Sequence, residues 1–197
     1  MITSMAPLLL FVLIATISPG GATTLATASG ANFGLRRSLP LIAGICAGLA
    51  TMAALAALGL ATLLLREPTL RIAMKVIGSA YLVWLAWRTA RSGRPDLERG
   101  VAKPYTFFGG VGLLWLNPKG WAMTLSAAAS FATIAEGPVQ LAGMLGMTFA
   151  LLSGLSLILW CAVGLLLAKF LRSDAQWRAL NIVLGILLAA SILPIWL

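Results

Sequence analysis

The stretch Ser18-Pro19-Gly20-Gly21 lies inside an apolar run that carries no charged residue from Met1 to Leu35. A similar stretch, Asn117-Pro118-Lys119-Gly120, lies inside a second long apolar run. Proline removes a helix hydrogen bond and an adjacent glycine lets the backbone bend, so each stretch is expected to interrupt a helix. Backbone that leaves the helix at membrane depth is stable only against protein or a water-filled cavity. Both interruptions are therefore candidates for a binding site.

The two interruptions recur at a fixed distance along the chain. Pro19 and Pro118 are 99 residues apart, and the pairs Ala43-Gly44 and Ala142-Gly143 repeat the same spacing. This recurrence predicts two related halves, each with one broken helix. In transporters built from inverted repeats, broken helices at corresponding positions of the two halves mark the substrate site.

The composition is that of an integral membrane protein. Hydrophobic residues make up 60% of the 197 residues and charged residues 10%, with a mean hydropathy of +0.99. These values lie far outside the range of a soluble domain. The net charge of +9 comes from short clusters between apolar runs, which indicates orientation in a membrane and contact with lipid rather than binding to nucleic acid.

The apolar runs predict an all-α fold with six transmembrane helices, of which helices 1 and 4 are broken. The predicted helices cover residues 6–29, 38–65, 69–89, 105–134, 139–168 and 179–197. Residues 91–104 form the longest polar stretch and are interpreted as a cytoplasmic linker. The chain is thus divided into a first three-helix repeat at 1–90 and a second at 105–197.

The distribution of basic residues predicts the orientation. The loops after helices 1, 3 and 5 hold ten lysine and arginine residues, whereas the opposite side holds only Arg66, Arg71 and Lys75. Because cytoplasmic loops carry the excess of positive charge, the odd loops are predicted to be cytoplasmic and both termini to be periplasmic. Three helices per half then place the second half upside down relative to the first, as a 3+3 inverted repeat.

Four motifs in order carry a resemblance to a known family. They are Ser18-Pro19-Gly20, then Gly30-x3-Gly34-x-Arg36-Arg37 leading to Gly44-x3-Gly48, then Lys75-x2-Gly78-x-Ala80-Tyr81-Leu82, and finally Leu116-Asn117-Pro118-Lys119. Over nearly its whole length the chain resembles the LysE/RhtB amino-acid exporters, multi-pass proteins of the bacterial inner membrane with six helices. The resemblance implies export of amino acids or close derivatives, driven by an ion gradient.

Two features qualify what this resemblance implies. The resemblance implies a second proline after Pro19-Gly20, whereas this chain has Gly21, which indicates either a looser hinge in helix 1 or a substrate that differs from the family's. No carboxylate lies within any predicted helix, and this absence disfavours lysine or arginine as the cargo. We expect H⁺ to be the coupling ion, and the sequence leaves both a monomer and a homo-oligomer open.

The predicted substrate site lies between the two breaks. Half-helix N-termini after Pro19 and Pro118 would direct backbone N–H groups at an anionic group, and Lys119 would pair with a substrate carboxylate. The alternatives are that Lys119 extends to a lipid headgroup and that Asn117 only satisfies freed backbone groups. The predicted substrate-binding residues are Ser18, Pro19, Gly20, Gly21, Thr23, Thr24, Tyr81, Asn117, Pro118 and Lys119.

Two other transport functions are less consistent with the sequence than amino-acid export. A divalent-cation exporter of related architecture would require carboxylate, histidine or thiolate ligands, whereas the helices offer hydroxyls, one amide and two isolated cysteines. A transmembrane thiol-disulfide electron carrier would use Cys46 and Cys161, but neither is adjacent to a helix-breaking proline. The sequence has no histidine and no nucleophile constellation, so we expect no enzyme activity, no cofactor and no metal site.

Overall fold

A computed structural model of the chain describes residues 2–60, 68–91, 104–171, 173–190 and 192–193. The regular structure of these residues is entirely helical. The helices are α1 (Ile2–Ile17), α2 (Gly21–Leu55), α3 (Pro68–Ala90), α4 (Phe107–Trp115), α5 (Pro118–Ser130), α6 (Pro138–Phe170) and α7 (Asp174–Ala190). A π-helical turn, Ala56–Leu60, continues α2, and a 3₁₀ turn, Ala132–Ile134, follows α5.

Both predicted helix breaks are present. The first predicted helix ends at Ile17 and resumes at Gly21, so that Ser18, Pro19 and Gly20 lie outside it. The fourth predicted helix is divided in the same way, because α4 ends at Trp115 and α5 begins at Pro118. Each proline therefore stands where one helical segment ends and the next begins, as its missing N–H requires.

Residues 30–34 lie between the helices predicted at 6–29 and 38–65, and the boundary predicted there is wrong, because α2 continues through these residues with a kink at one of them. Gly34 has φ 76° and ψ 169°, a backbone conformation that favours glycine. The residues before it stay helical, and Asn32 donates its Nδ2–H to the Ala28 carbonyl at 2.8 Å. Across the kink the Ser29 and Ser38 hydroxyls share a hydrogen bond of 2.7 Å. The helix predicted to start at 38 consequently starts directly after Gly34.

The start of the last helix was also predicted wrongly. It begins at Asp174 rather than 179, so Arg178 belongs to α7 and not to a loop. The reason is a reciprocal cap, in which Gln176 N–H donates to Ser173 Oγ at 3.3 Å and Ser173 N–H donates to Gln176 Oε1 at 3.1 Å. Serine followed three residues later by glutamine is a recognised signal for a helix start.

The centre of the fold is the pair α2 and α6, with α4 packed on α2 and α3 packed on α7. Glycine allows the closest approaches. A Cβ on Gly44 would overlap the Phe107 backbone, and one on Gly110 would lie 2.5 Å from the Leu41 carbonyl oxygen. On the other side of α2, a Cβ on Gly164 would overlap the Thr27 backbone. These contacts set the position of α4 and α6 around the first break.

Two of the described helices are long and apolar enough to cross a membrane. They are Gly21–Gly59, with a hydropathy of 2.2, and Pro138–Phe170, with a hydropathy of 2.3. Large apolar side chains on the outer face of α6 are exposed, among them Leu151 and Leu155. Three predicted features lie outside the described residues, namely residues 92–103 of the linker, the end of the helix predicted to reach 65, and residues 194–197.

Candidate functional site

At the first break, the C-terminal end of α1 and the N-terminal end of α2 face the same region. Gly20 N–H donates to Thr23 Oγ1 at 2.8 Å, and the Thr23 hydroxyl lies 3.0 Å from the Gly20 carbonyl. The Thr24 N–H also donates to the Gly20 carbonyl, at 2.9 Å, which closes the first turn of α2. The helix thus restarts immediately after the break, and the carbonyls of Ser18 and Pro19 are left outside the helical hydrogen-bond pattern.

The second break is fixed by Asn117, which is the N-cap of α5. Its backbone is extended, with φ −96° and ψ 110°, and its Oδ1 accepts a hydrogen bond from the Lys119 N–H at 3.0 Å. Pro118 occupies the first helical position, where its missing N–H costs nothing. The Trp121 indole N–H donates to the Trp115 carbonyl at 2.9 Å and so satisfies the end of α4.

Lys119 connects the second break to the first. Its Nζ donates to Ser18 Oγ at 2.9 Å, to the Ser18 carbonyl at 3.3 Å and to the Pro19 carbonyl at 3.3 Å. All three acceptors are uncharged. Gly20 leaves the room for this contact, since a Cβ there would lie 3.1 Å from Lys119 Nζ. The ammonium is therefore bonded inside the protein, at the position where α1 ends.

The other carbonyls at the end of α1 are satisfied by α6. Ser156 Oγ donates to the Thr16 carbonyl at 2.9 Å, and the Trp160 indole N–H donates to the Ile17 carbonyl at 3.1 Å. Because a buried backbone oxygen without a donor is costly, these side chains stabilise the end of α1 where the helix stops.

A cavity that is partly open to the outside lies between the two breaks. Its wall is formed by α1, α2, α4, α5 and α6. The lining residues are Ala15, Thr16, Ser18, Gly20, Gly21, Ala22, Thr23, Ile45, Leu49, Leu114, Asn117, Lys119, Gly120, Met123, Ser153 and Leu157.

The electrostatics of this cavity favour an anionic group. Gly21, Ala22 and Gly120 line it, so the N-terminal turns of α2 and α5 face it together. The first N–H groups of a helix have no partner within the helix and carry its positive dipole end. The Lys119 ammonium adds a full positive charge, and none of the described residues that line the cavity is acidic.

Six of the ten predicted site residues line the cavity, and two more stand beside it. The lining residues are Ser18, Gly20, Gly21, Thr23, Asn117 and Lys119. Pro19 contributes its carbonyl to Lys119, and Pro118 starts α5. Asn117 has the backbone role that the sequence left as an alternative, and its side chain also faces the cavity.

The structure does not bring Thr24 or Tyr81 to the cavity. Thr24 is buried and does not line the cavity. The Tyr81 hydroxyl donates to the Gly109 carbonyl at 3.4 Å, and its ring stacks on Trp84 with centroids 5.7 Å apart. Tyr81 therefore joins α3 to α4, and including it in the predicted site is not supported by the geometry.

Several lining residues were missed by the sequence analysis. Most are apolar and indistinguishable from core residues by pattern, namely Ile45, Leu49, Leu114, Met123 and Leu157. Ser153 could have been found, because it is a hydroxyl in the uncharged middle of α6. Its Oγ lies 3.4 Å from Cys46 Sγ and 3.3 Å from the Ala150 carbonyl.

The cysteines and acidic residues show no chemical constellation in the part of the chain that the structure describes. Cys46 and Cys161 are free thiols, and neither lines the cavity. Among the described residues, no group of three or more cysteine, aspartate or glutamate side chains is placed to hold a metal ion.

Comparison with known proteins places this geometry in context. Residues 13–191 match the family model described as LysE type translocator. A protein named cysteine/O-acetylserine efflux protein from Shigella flexneri serotype 5b (strain 8401) is 30% identical over 190 residues, which cover 93% of this chain and 95% of the relative. The protein of the same name from Escherichia coli (strain K12) is 30% identical over 179 residues, or 90% of both chains. No solved structure matches the sequence.

Proposed function

Because this chain belongs to the LysE type translocator family, we propose that it exports small neutral amino acids or their close derivatives across the bacterial inner membrane. Members of this family are translocators and not enzymes, and the relatives with 30% identity are named efflux proteins for cysteine and O-acetylserine. Both compounds are zwitterions with a short side chain. The proposed substrate class is therefore the small zwitterionic amino acids.

The observation that carries this proposal is the contact of Lys119 with the first break. A positive side chain from α5 reaches the end of α1 inside a cavity that two helix N-termini also face. A substrate carboxylate would find there both the ammonium and free backbone N–H groups, which is the recurring solution for anions at broken helices.

The lining of the cavity supports a neutral substrate. Apolar side chains from α2, α4, α5 and α6 also line the cavity, together with the Ser153 hydroxyl. A lysine or arginine substrate would bring a second cation close to Lys119 without an acidic partner among the described lining residues. A short polar or apolar side chain fits this surface at a lower electrostatic cost.

We further propose that the helices form six membrane spans in a 3+3 inverted repeat with both termini in the periplasm. The first repeat would comprise α1 to α3 and the second α4 to α7. In the first repeat, the part of α2 before Gly34 would complete the span that α1 begins, and the part after Gly34 would form the second span. The ten-to-three distribution of cations between the two sets of loops predicted from the sequence supports this orientation, although Arg178 lies in the first turns of α7. Transport would be secondary active, with H⁺ as the coupling ion, and the site would lie between the broken helices.

The alternative functions gain no support from the site. A divalent cation would be repelled by the Lys119 ammonium, and the described lining residues offer hydroxyls and an amide rather than carboxylates. An electron carrier would require its thiols at the breaks, whereas Cys46 and Cys161 lie outside the cavity lining.

Counterflow in proteoliposomes tests the proposal. Vesicles loaded with unlabelled amino acid should accumulate labelled cysteine or O-acetylserine, and should accumulate lysine much less. Replacing Lys119 by methionine should reduce counterflow by roughly 30-fold or more, since leaving one charge of such a pair without its partner costs about 2 kcal/mol or more. Lys119→Arg should restore transport poorly because the guanidinium is larger and planar.

Lys169→Met is the matched control, because Lys169 is an exposed lysine at the end of α6. It should leave counterflow unchanged. Full counterflow by Lys119→Met would refute the role of this side chain in carboxylate recognition. Uphill export that survives collapse of the proton gradient by an ionophore would refute H⁺ coupling.

A further inference from the structure

The acceptors around Lys119 Nζ form a complete binding site for a primary ammonium group. Three oxygens surround the nitrogen at 2.9–3.3 Å, which matches the three N–H donors of an ammonium. The Ser18 hydroxyl donates its own hydrogen to the Ala15 carbonyl at 2.9 Å, so its lone pairs are left for the ammonium. The site is preorganised by the end of α1 rather than by the lysine side chain.

This site differs from the rest of the helix end in how its carbonyls are satisfied. The Thr16 and Ile17 carbonyls have fixed donors from α6, in Ser156 and Trp160. The Ser18 and Pro19 carbonyls instead accept from the tip of a lysine side chain, which is long and flexible. Lys119 is thus a donor that can leave without any change in the backbone of α1.

Recognition of a zwitterion raises a requirement that the carboxylate contacts do not meet. An amino acid also carries an α-ammonium group, and burying it requires acceptors. None of the described residues that line the cavity is acidic, so neutral oxygens must serve. The oxygens at the end of the first break are arranged for an ammonium, but they are bonded to Lys119.

We propose that Ser18 and the Pro19 carbonyl form an α-ammonium subsite, which Lys119 occupies in the empty transporter and from which the substrate ammonium displaces it. Lys119 then pairs with the substrate carboxylate. This inference rests on the proposed function for the identity of the substrate, while the existence of the ammonium subsite can be tested without it.

The exchange is balanced in charge and in hydrogen bonds. One ammonium replaces another on the same three oxygens, and the released Lys119 gains an ionic partner. An amine without a carboxylate would displace Lys119 and leave two cations close together with no anion. A carboxylate without an amine would draw Lys119 away and leave the Ser18 and Pro19 carbonyls without donors. Only a molecule with both groups compensates both sites.

The first test measures the thermal unfolding of purified Lys119→Ala protein in detergent with n-propylammonium chloride. This ion has the same heavy atoms as the lysine side chain beyond Cβ, so it can restore the missing donor. At ten times its Kd it should raise the Tm of the variant by roughly 3–6 °C. Wild-type protein, in which Lys119 fills the site, should not respond.

Two controls separate hydrogen bonding from bulk and from charge. N,N,N-trimethylpropylammonium carries the charge but no N–H donors, and 1-propanol has the shape but no charge, so neither should raise the Tm. If Lys119→Ala does not fold, Lys119→Met is tested with ammonium chloride instead. The methionine side chain is one atom shorter than lysine and leaves only the position of Nζ for the ammonium ion. An equal Tm shift of Lys119→Ala with propylammonium and with its trimethyl analogue would refute the subsite. For Lys119→Met, an equal Tm shift with ammonium and with tetramethylammonium would refute it in the same way.

The second test measures whether the substrate ammonium displaces Lys119 from the subsite. O-acetylserine should stabilise wild-type protein, whereas its amide, which lacks the carboxylate, should stabilise only Lys119→Met. Ser18→Ala should weaken the binding of O-acetylserine by roughly 10- to 150-fold, the loss expected for one hydrogen bond to a charged group. Ser156→Ala, which removes a cap from the same helix end outside the cavity, should not weaken it.

The outcomes of the two tests are distinguishable. Propylammonium binding to Lys119→Ala without any binding of O-acetylserine would support the subsite and refute the proposed substrate. Binding of O-acetylserine by wild type with no response of Lys119→Ala to propylammonium would support the proposed function and refute the subsite. Stabilisation of wild-type protein by the amide as strongly as by O-acetylserine would refute the exchange.

Discussion

Replacing Gly44 by alanine should destabilise the protein much more than the same change at Gly143. The two glycines occupy corresponding positions of the 99-residue repeat, and both lie within long helices, α2 and α6. They differ in their surroundings. A Cβ on Gly44 would overlap the Phe107 backbone, whereas a Cβ on Gly143 would have no heavy atom within 4 Å.

The magnitude follows from what the new methyl group meets at each site. At Gly44 the obstacle is main chain of α4, which cannot rotate away as a side chain can, so α4 must move. Overpacking of this kind costs roughly 1–3 kcal/mol, and a backbone obstacle favours the upper end. Because 1 kcal/mol corresponds to roughly 2–4 °C for a chain of this size, the Tm should fall by roughly 6 °C or more. At Gly143, alanine should stabilise α6 by roughly 0.5–1 kcal/mol through its higher helix propensity.

Thermal unfolding of the two purified variants in detergent, followed by circular dichroism, measures this difference directly. Displacement of α4 should also reach the site, because Leu114 of α4 lines the cavity. Counterflow by Gly44→Ala should therefore be reduced even at temperatures where the protein is folded, while Gly143→Ala should transport normally. Equal Tm values for the two variants would refute the packing of α2 on α4.

Three further predictions concern the site and the orientation. Tyr81→Phe should keep at least about half of the wild-type counterflow, because its hydroxyl bonds to α4 outside the cavity; a loss as large as that of Lys119→Met would return Tyr81 to the site. Alanine at Pro19 or Pro118 should reduce counterflow by a larger factor than it reduces the amount of folded protein, since a restored N–H lets the helix continue. Unchanged transport in both variants would show that transport does not depend on these prolines. A cysteine introduced at Ser173 should be protected from an impermeant thiol reagent in intact cells and one at Thr69 should react, and the reverse pattern would invert the proposed orientation.

The two helix breaks and their meeting point could be predicted because each depends on a local chemical rule. Proline at 19 and 118 cannot donate to a helical hydrogen bond, and both prolines lie in runs too apolar for a loop in water. The repeat spacing then related the two stretches to each other. The start of α7 follows an equally local rule, because Ser173 and Gln176 have the sequence spacing of a reciprocal helix cap.

The remaining features depend on tertiary packing. Glycine-rich residues 30–34 are typical of a turn, yet Gly30 stays helical because it packs against the Cys161 backbone, and only Gly34 takes a positive φ. Likewise, Ile45 and Leu157 resemble core residues in every sequence pattern and line the cavity only because the breaks leave space beside them. The contact of the Tyr81 hydroxyl with Gly109 of α4 could not be predicted for the same reason, since a motif gives no direction for a side chain.

The 99-residue spacing in the sequence pairs Lys119 with a position of different chemistry. By the 99-residue spacing, the counterpart of Lys119 in the first half is Gly20, and the structure brings these two positions together. One position supplies the charged side chain and the other supplies the space, because a Cβ on Gly20 would lie 3.1 Å from Lys119 Nζ. Two identical side chains could not fill this role, since two lysines would repel each other and two glycines would leave the Ser18 and Pro19 carbonyls without a donor. The hydrogen bonds of Lys119 therefore cross from the second half to the first, and any movement of one half relative to the other must break or remake them.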